Sequence, residues 1–404
     1  MKVHLLIFAS LFTICAAAEA QIPPEPEPVF VSESEPVSVP VSESEAASEA
    51  ASVSVSESES EPVAVPSPVA VPEALAMPSV VWTPDLEIFA RYNLNLTNTD
   101  ADTAWFHSFD LTRAHVGLRA DYSFVHARLL LEGAYSTEQG SLFGVAGDSF
   151  VARFREAWVG FDLDSRAFEL HAGMVRTLTI PSLESASRLR VIERMALEQA
   201  GFASPADLGV TATWQFPYKF GFAAMGMYSG EGYMQRELNR GKNVEAAVEV
   251  HPLAFSEALR PLAILASYVH GSTGTASLRA NRLTTALLWS GERLRGGAMF
   301  TYAWGNGDDG AIEGSTLDLF VRAEPVKNWL VGARFSRTLR NLDVGDDRLT
   351  HVMLTTGLRI AEPLEVFAAL SRTIPGAAAS LAMPGSDSWD ISLIVRTALG
   401  GTTP

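Results

Sequence analysis

The chain has 404 residues, is 47% hydrophobic, carries a formal net charge of -17 and contains one cysteine, Cys15. No phosphate-cradling glycine loop, nucleotide motif or basic patch interrupts it, so no nucleic-acid partner is expected. Cys15 lies in an export leader. The exported chain would then be cysteine-free, which excludes disulfides and thiolate metal sites.

Residues 1–20 read as a signal peptide. Lys2 gives the positive start, Leu5 to Ala18 the apolar core, and Ala18-Glu19-Ala20 a small-x-small cleavage site ahead of Gln21. Cys15 raises a lipoprotein alternative, but Ile14 is bulky where a small residue should precede a lipidated cysteine. Residues 21–82 repeat Val, Ser, Glu and Pro, with eleven Glu and no Lys or Arg. Such a segment buries too little apolar surface to offset its ordering entropy, and its charges repel. It is expected to be a disordered periplasmic linker, acting as a spacer or as a peptidoglycan contact.

Residues 83–404 read as an outer-membrane barrel domain. Beyond the leader no run of 18 apolar residues occurs, so a helical span is excluded. Short alternating segments fill the region instead. Leu86, Ile88, Ala90, Tyr92, Leu94 and Leu96 alternate with Glu87, Phe89, Arg91, Asn93 and Asn95. Period two means a strand with one greasy face. Similar segments follow near 111–120, 125–135, 151–163, 168–175, 207–215, 219–228, 243–251, 262–269, 282–290, 294–304, 315–324, 330–338, 350–360, 364–372 and 388–399. Short turns and long loops alternate between them, and aromatics such as Trp105, Tyr122, Trp214, Trp289, Trp329 and Trp389 sit near segment ends. The fold class expected is all-β, a transmembrane up-and-down antiparallel barrel of about 16 strands, with both termini on the short-turn rim.

Charges facing lipid are costly, so strand parity assigns charged residues to the lumen. It places Arg91, Arg113, Arg119, Arg128, Arg295, Arg322, Arg334, Arg359 and Arg396 inward, with Glu87, Glu132, Glu169, Glu245, Glu249, Asp318, Glu365 and Asp390. The longest loop, 176–206, differs in kind. Glu184 to Gln199 reads as a helix with Leu189, Ile192 and Ala196 on one stripe, ended by Gly201 and Pro205. An apolar stripe on a loop helix needs burial, and the barrel interior offers it. The loop is expected to fold inward and narrow the channel. Arg176, Arg188, Arg190, Arg194, Arg113, Arg119 and Arg128 are the candidate constriction and anion path, because arginine rings favour anions. The other reading is that the loop arginines pair with Glu184 and Glu193 along the helix.

Phe154-Arg155-Glu156-Ala157-Trp158-Val159-Gly160-Phe161, Leu170 to Val175, Ile192-Glu193-Arg194 and Phe202 to Val210 carry a resemblance. In these runs the chain resembles the phosphate-selective porin O and P family of Gram-negative outer membranes. The resemblance implies sixteen strands, a homotrimer, placement by the barrel-insertion machinery, an inward third loop and an anion-favouring pore. Two departures stand out. Lys219, Lys242 and Lys327 are the only lysines in the barrel region, and the chain ends Leu399-Gly400-Gly401-Thr402-Thr403-Pro404 rather than on an aromatic.

The function expected is a water-filled channel for passive diffusion of small hydrophilic solutes or ions, with no cofactor and no metal. Outer-membrane lipid is the expected surrounding. A structural envelope anchor tethered by the acidic tail is one alternative. A barrel enzyme is another, but His107, His115, His126, His171, His251, His270 and His351 match no nucleophile motif or metal-ligand spacing.

Overall fold

A computed structural model describes residues 80–97, 106–136, 149–163, 167–234, 241–273, 278–306, 312–382 and 387–400. The expected signal peptide and nearly all of the expected linker lie outside the described residues. The last two linker positions, Val81 and Trp82, already belong to the first strand.

Sixteen strands form the wall. In chain order they are β1 (Val81–Thr97), β2 (Phe106–Tyr122), β3 (Val125–Ser136), β4 (Ser149–Leu163), β5 (Phe168–Arg176), β6 (Ala206–Gln215), β7 (Gly221–Tyr228) and β8 (Asn243–Val250). Then follow β9 (Leu262–His270), β10 (Asn281–Ser290), β11 (Leu294–Asn306), β12 (Ile312–Val326), β13 (Trp329–Leu339), β14 (Arg348–Ala361), β15 (Leu364–Pro375) and β16 (Ser388–Gly400). Each pairs antiparallel with the next, and β16 returns to β1, so the sheet is closed. That seam runs from Asp85 opposite Gly400 to Thr97 opposite Ser388. Closure leaves no edge strand with unpaired backbone groups, which an apolar solvent would not tolerate.

The connections alternate as expected. The tightest turns are Ser123-Phe124, Lys327-Asn328 and Glu362-Pro363, all on one rim. Asn328 takes φ 69°, the left-handed conformation that asparagine tolerates better than most side chains. On the other rim a two-residue ribbon (Ser272–Thr273 with Leu278–Arg279) decorates the β9–β10 connection.

The alternation sorts side chains between two solvents. Ile88, Val116, Leu129, Val159, Ile264, Leu287, Leu319, Leu354 and Leu393 are exposed on the outer face. Trp304 stacks on Tyr268 and Tyr302 at the long-loop end, with ring centroids 6.0 and 5.4 Å apart. This is the apolar band with aromatic margin that acyl chains and headgroups require.

Five register shifts occur among the described strands, and two of them, in β2 and β4, fall on the wall of the interior. In β2, Phe89 faces Arg113 and Ala90 faces Leu111, which leaves Thr112 unopposed. In β4, Leu130 faces Glu156 and Leu131 faces Phe154, which leaves Arg155 unopposed. A bulge lets two successive residues share a face. Arg155 and Glu156 are both buried in the interior, while Phe154 stays outside.

Candidate channel and its constriction

The loop between β5 and β6 lies inside the barrel, and its entry is fixed by a carboxylate on the wall. The first turn of a helix leaves backbone N–H groups without partners. Here helix α1 (Thr179–Ser187) has no capping side chain of its own. Glu245 on β8 supplies the acceptors. It takes the N–H groups of Leu178 and Thr179 at 3.0 Å each and the Thr179 hydroxyl at 2.6 Å. The same hydroxyl lies 2.6 Å from Ser267 Oγ on β9.

The expected helix over Glu184–Gln199 is corrected by this placement. α1 starts five residues earlier, and it stops at Arg188, which adopts φ 47°. Only Ala196–Gln199 (α2) resumes a helical turn. Burial of alternate apolar groups, not one continuous stripe, decides the path. Ile180, Leu183, Leu189, Ile192, Met195 and Leu197 are all nearly inaccessible. They pack on Leu265, Leu288, Met299, Phe320, Leu330, Met353, Phe367 and Ile394, inward residues of β9 to β16. Each such side chain contributes about 1.5–3 kcal/mol by leaving water. Gly332 makes room for this, because a Cβ there would stand 3.1 Å from Leu189 Cδ2.

Wall arginines complete the docking. Arg295 donates to the Ser185 carbonyl at 2.8 Å, Arg322 to that of Arg188 at 2.7 Å and Arg334 to that of Arg194 at 2.6 Å. Arg91 and Arg282 donate to the carbonyls of Ile192 and Phe202. Several arginines that parity turns inward therefore hold the loop. Arg334 is also paired with Asp318 at 2.5 Å and with Glu193 at 3.1 Å. His351 Nε2 reaches the second Glu193 oxygen at 2.8 Å.

The opposite wall, β1 to β4, is charged. Arg155 lies 3.3 Å from Glu132 and 3.9 Å from Glu184 of the loop. Glu132 also meets His115 at 2.9 Å and accepts the Tyr233 hydroxyl at 2.7 Å. Glu156 faces Arg128 at 3.1 Å and Arg176 at 3.8 Å. Burial, and then the Glu132 charge, push the Tyr233 phenol up to about 12.

The seven arginines named from sequence fall into different settings. Arg128 bridges Asp85 and Glu156, and Arg119 pairs with Asp121 at 2.9 Å on a more exposed part of the wall. Arg113 is buried, 5.6 Å above the Phe89 ring, and its Nη1 has no hydrogen-bond partner among the described residues. Arg176 spans Glu156 and Glu184. Arg190 is held by Glu184 and by Glu198, the latter at 2.5 Å. Burial, and then the neighbouring Arg155 charge, push its guanidinium down to about 10. It therefore stays charged at neutral pH. Arg194 is exposed.

Arg188 is the distinct one. Burial, then the charges of Arg359 and Arg396, lower its guanidinium below the ordinary value. Glu365 gathers the neighbouring cations, with Arg396 at 2.7 Å, Arg359 at 3.2 Å and Arg322 at 4.0 Å. Arg396 also meets Glu87 at 2.6 Å, and Arg359 lies 3.7 Å from Glu324. These residues sit on strand ends next to the short-turn rim. Arg155, Glu156 and Tyr233 were missed from sequence. The signal for the first two was an adjacent charged pair inside an alternating strand.

No protein-family model matches the chain. No match was found among curated sequences either. Solved structures do resemble it. An anion-selective porin from Comamonas acidovorans aligns with TM-score 0.56 at 14% identity, over 80% of this chain and 100% of that one. OmpT, an outer membrane protein of Vibrio cholerae in a trimer form, aligns with TM-score 0.52 at 12% identity, over 79% and 99%. The outer membrane channel DcaP of Acinetobacter baumannii gives 0.52 at 9%, over 82% and 100%. At these identities the likeness is one of fold, the sixteen-strand barrel.

Proposed function

We propose that this barrel lies in the outer membrane of a Gram-negative bacterium and is a passive channel for small hydrophilic solutes, without enzymatic activity. One observation carries the reading: a closed wall with an apolar outside and a charged inside, narrowed by its own loop. A soluble barrel of this girth would have no use for the outer band, and a structural plug would have no use for a polar interior. The named neighbours, an anion-selective porin and a channel, support the reading by analogy of fold.

The pore favours anions. Arg188, Arg295, Arg322, Arg359 and Arg396 face Glu87, Glu324 and Glu365 below the loop, so guanidiniums outnumber carboxylates there. A general anion preference fits this cluster better than a phosphate-specific site. Arginine side chains supply nearly all of the cationic charge, and the three lysines Lys219, Lys242 and Lys327 add little. A homotrimer is part of the same reading, supported by the trimeric neighbour.

Purified protein in a planar bilayer with a salt gradient tests both levels. Stepwise conductance is expected, with a reversal potential on the anion side. Arg188→Gln is expected to move that potential toward cation preference. No conductance at all would end the channel reading, and an unmoved potential would end the anion assignment.

A further inference from the structure

The mouth at the short-turn rim is divided by charge. One half is built by β11 to β16 together with Arg188 of the loop. On its turns Arg293 and Lys327 offset Glu292 and Glu362. Inside, Glu365 serves Arg396, Arg359 and Arg322, Glu87 serves Arg396 and Glu324 lies near Arg359. Three carboxylates are thus matched by three guanidiniums, and Arg188 and Arg295 are left over. Neither has a carboxylate within ion-pair distance among the described residues.

The surplus is visible in the geometry. Arg295 stands directly opposite Arg322 in the β11–β12 register, and like charges so placed repel. Arg188 Nε is buried without a hydrogen-bond partner among the described residues, and a buried donor is costly to leave unpaired. The facing half of the mouth has the opposite character. Asp162 stands opposite Glu169 in the β4–β5 register, and Asp121 and Asp162 flank His126 at 2.5 and 2.8 Å. An anion at this mouth therefore has one seat, on the arginine side.

The chain supplies an anion at that place. Residues 21–80 hold eleven Glu and no Lys, Arg or Asp. They join the wall at Val81, on the short-turn rim, in a strand paired with β16, which carries Arg396. The junction therefore borders the arginine half. Glu57, Glu59 and Glu61 precede Val81 by 20 to 24 residues. A flexible linker of that length has a root-mean-square span of about 25 Å, enough to bring those carboxylates to Arg188 and Arg295. Tethering holds them at a high effective concentration. The remainder of the chain is acidic too, but charges more than about 8 Å away are screened at physiological salt, so the local surplus decides.

We propose that the Glu-rich segment 21–80 docks on Arg188 and Arg295 in the arginine half of the short-turn mouth and competes there with permeating anions. The proposal rests on the channel reading above and adds a regulator to it. The mouth carries its own tethered anion, and ionic strength sets how long that anion stays.

The test compares the whole protein with a variant of equal length in which the eleven tail glutamates are replaced by Gln. In planar bilayers at about 0.1 M salt, wild type should show brief closures that the Gln-tail variant has lost. At about 1 M salt the two should be alike, because the pairing is screened, and only the loop then remains as a source of noise. A synthetic peptide of residues 25–61, which holds ten Glu, should restore closures in the Gln-tail variant from the short-turn side alone. Adding Arg188→Gln and Arg295→Gln should abolish the peptide's effect. Fluorescence anisotropy of the labelled peptide on the Gln-tail variant in detergent reads the same docking without conduction. Closures that persist in the Gln-tail variant or at 1 M salt, a peptide that acts equally from both sides, or peptide binding that ignores salt would each overturn the docking. These outcomes need no arginine variant, so a misfolded one leaves the test decisive. Conductance identical in wild type and Gln-tail protein would refute the docking and leave the channel standing. Salt-sensitive peptide binding to a protein that never conducts would refute the channel and leave the docking standing.

Discussion

At the residue scale, Glu193 is the most informative group. It joins the loop to β12, β13 and β14 through Arg334, Asp318 and His351. Burial acts to raise its carboxyl. The His351 hydrogen bond and the Arg334 charge outweigh that and hold it below the ordinary 4.5. A carboxylate with a depressed value contributes stability above the ordinary range and loses it as pH falls through its own lower value. Loop docking should therefore be steady from neutral pH down to the carboxylate range and loosen only below it. Single-channel recordings across that range check this, with current noise rising on the acid side alone. In Glu193→Gln the acid step should shrink, Glu198 still contributing its own, and the loop should be noisier at neutral pH. A step near neutrality in wild type, or an acid step of undiminished size in Glu193→Gln, would contradict the account.

At the element scale, the loop entry depends on one wall side chain. Glu245→Ala leaves the N–H groups of Leu178 and Thr179 and the Thr179 hydroxyl without this acceptor. Unpaired buried groups cost about 1–3 kcal/mol. The barrel should still form, since the wall ladders are untouched, and mean conductance should rise as the loop leaves its seat. Unchanged conductance in a folded Glu245→Ala protein would show that the loop is held elsewhere. The strands themselves were readable because period two is a strict consequence of pleating between lipid and water. β1 starts earlier than alternation alone indicated, at Val81, because β2 runs on to offer Asp121, Ala120 and Arg119 as partners. The inward loop was readable because apolar residues in a polar connection need cover. Its helix limits were not, because the cap on Thr179 comes from Glu245, 66 residues away. The role of Arg155 was hidden for a related reason. A bulge is set by the pairing of two strands, and simple alternation carries no mark of where it falls. Nor did parity alone show that Arg91, Arg282, Arg295, Arg322 and Arg334 would serve the loop backbone, since that depends on where its carbonyls come to rest.

At the scale of the whole molecule, the two walls of the interior differ. β9 to β16 present an apolar bed that the loop covers, while β1 to β4 present ion pairs that the loop meets through Glu184 at Arg155, with Arg190 tying Glu184 to Glu198 inside the loop. The loop is thus fastened on both sides. The closed ladder around it predicts strong resistance to unfolding. Unheated protein in dodecyl sulfate should migrate as a compact form and shift to the mobility of the unfolded chain only after boiling. A single mobility at all temperatures would count against a closed wall.

The pairing of β16 with β1 has a consequence for biogenesis. The last wall strand to leave the ribosome is the partner of the first wall strand, 293 positions separating Leu96 from Trp389 and 315 separating Asp85 from Gly400. Until Ser388–Gly400 is delivered, Val81–Thr97 has a free hydrogen-bonding edge that needs shelter. The cylinder therefore cannot be completed progressively from its N-terminal end; its closing act is a single zippering event, and premature release before that moment yields a sheet rather than a shorter tube.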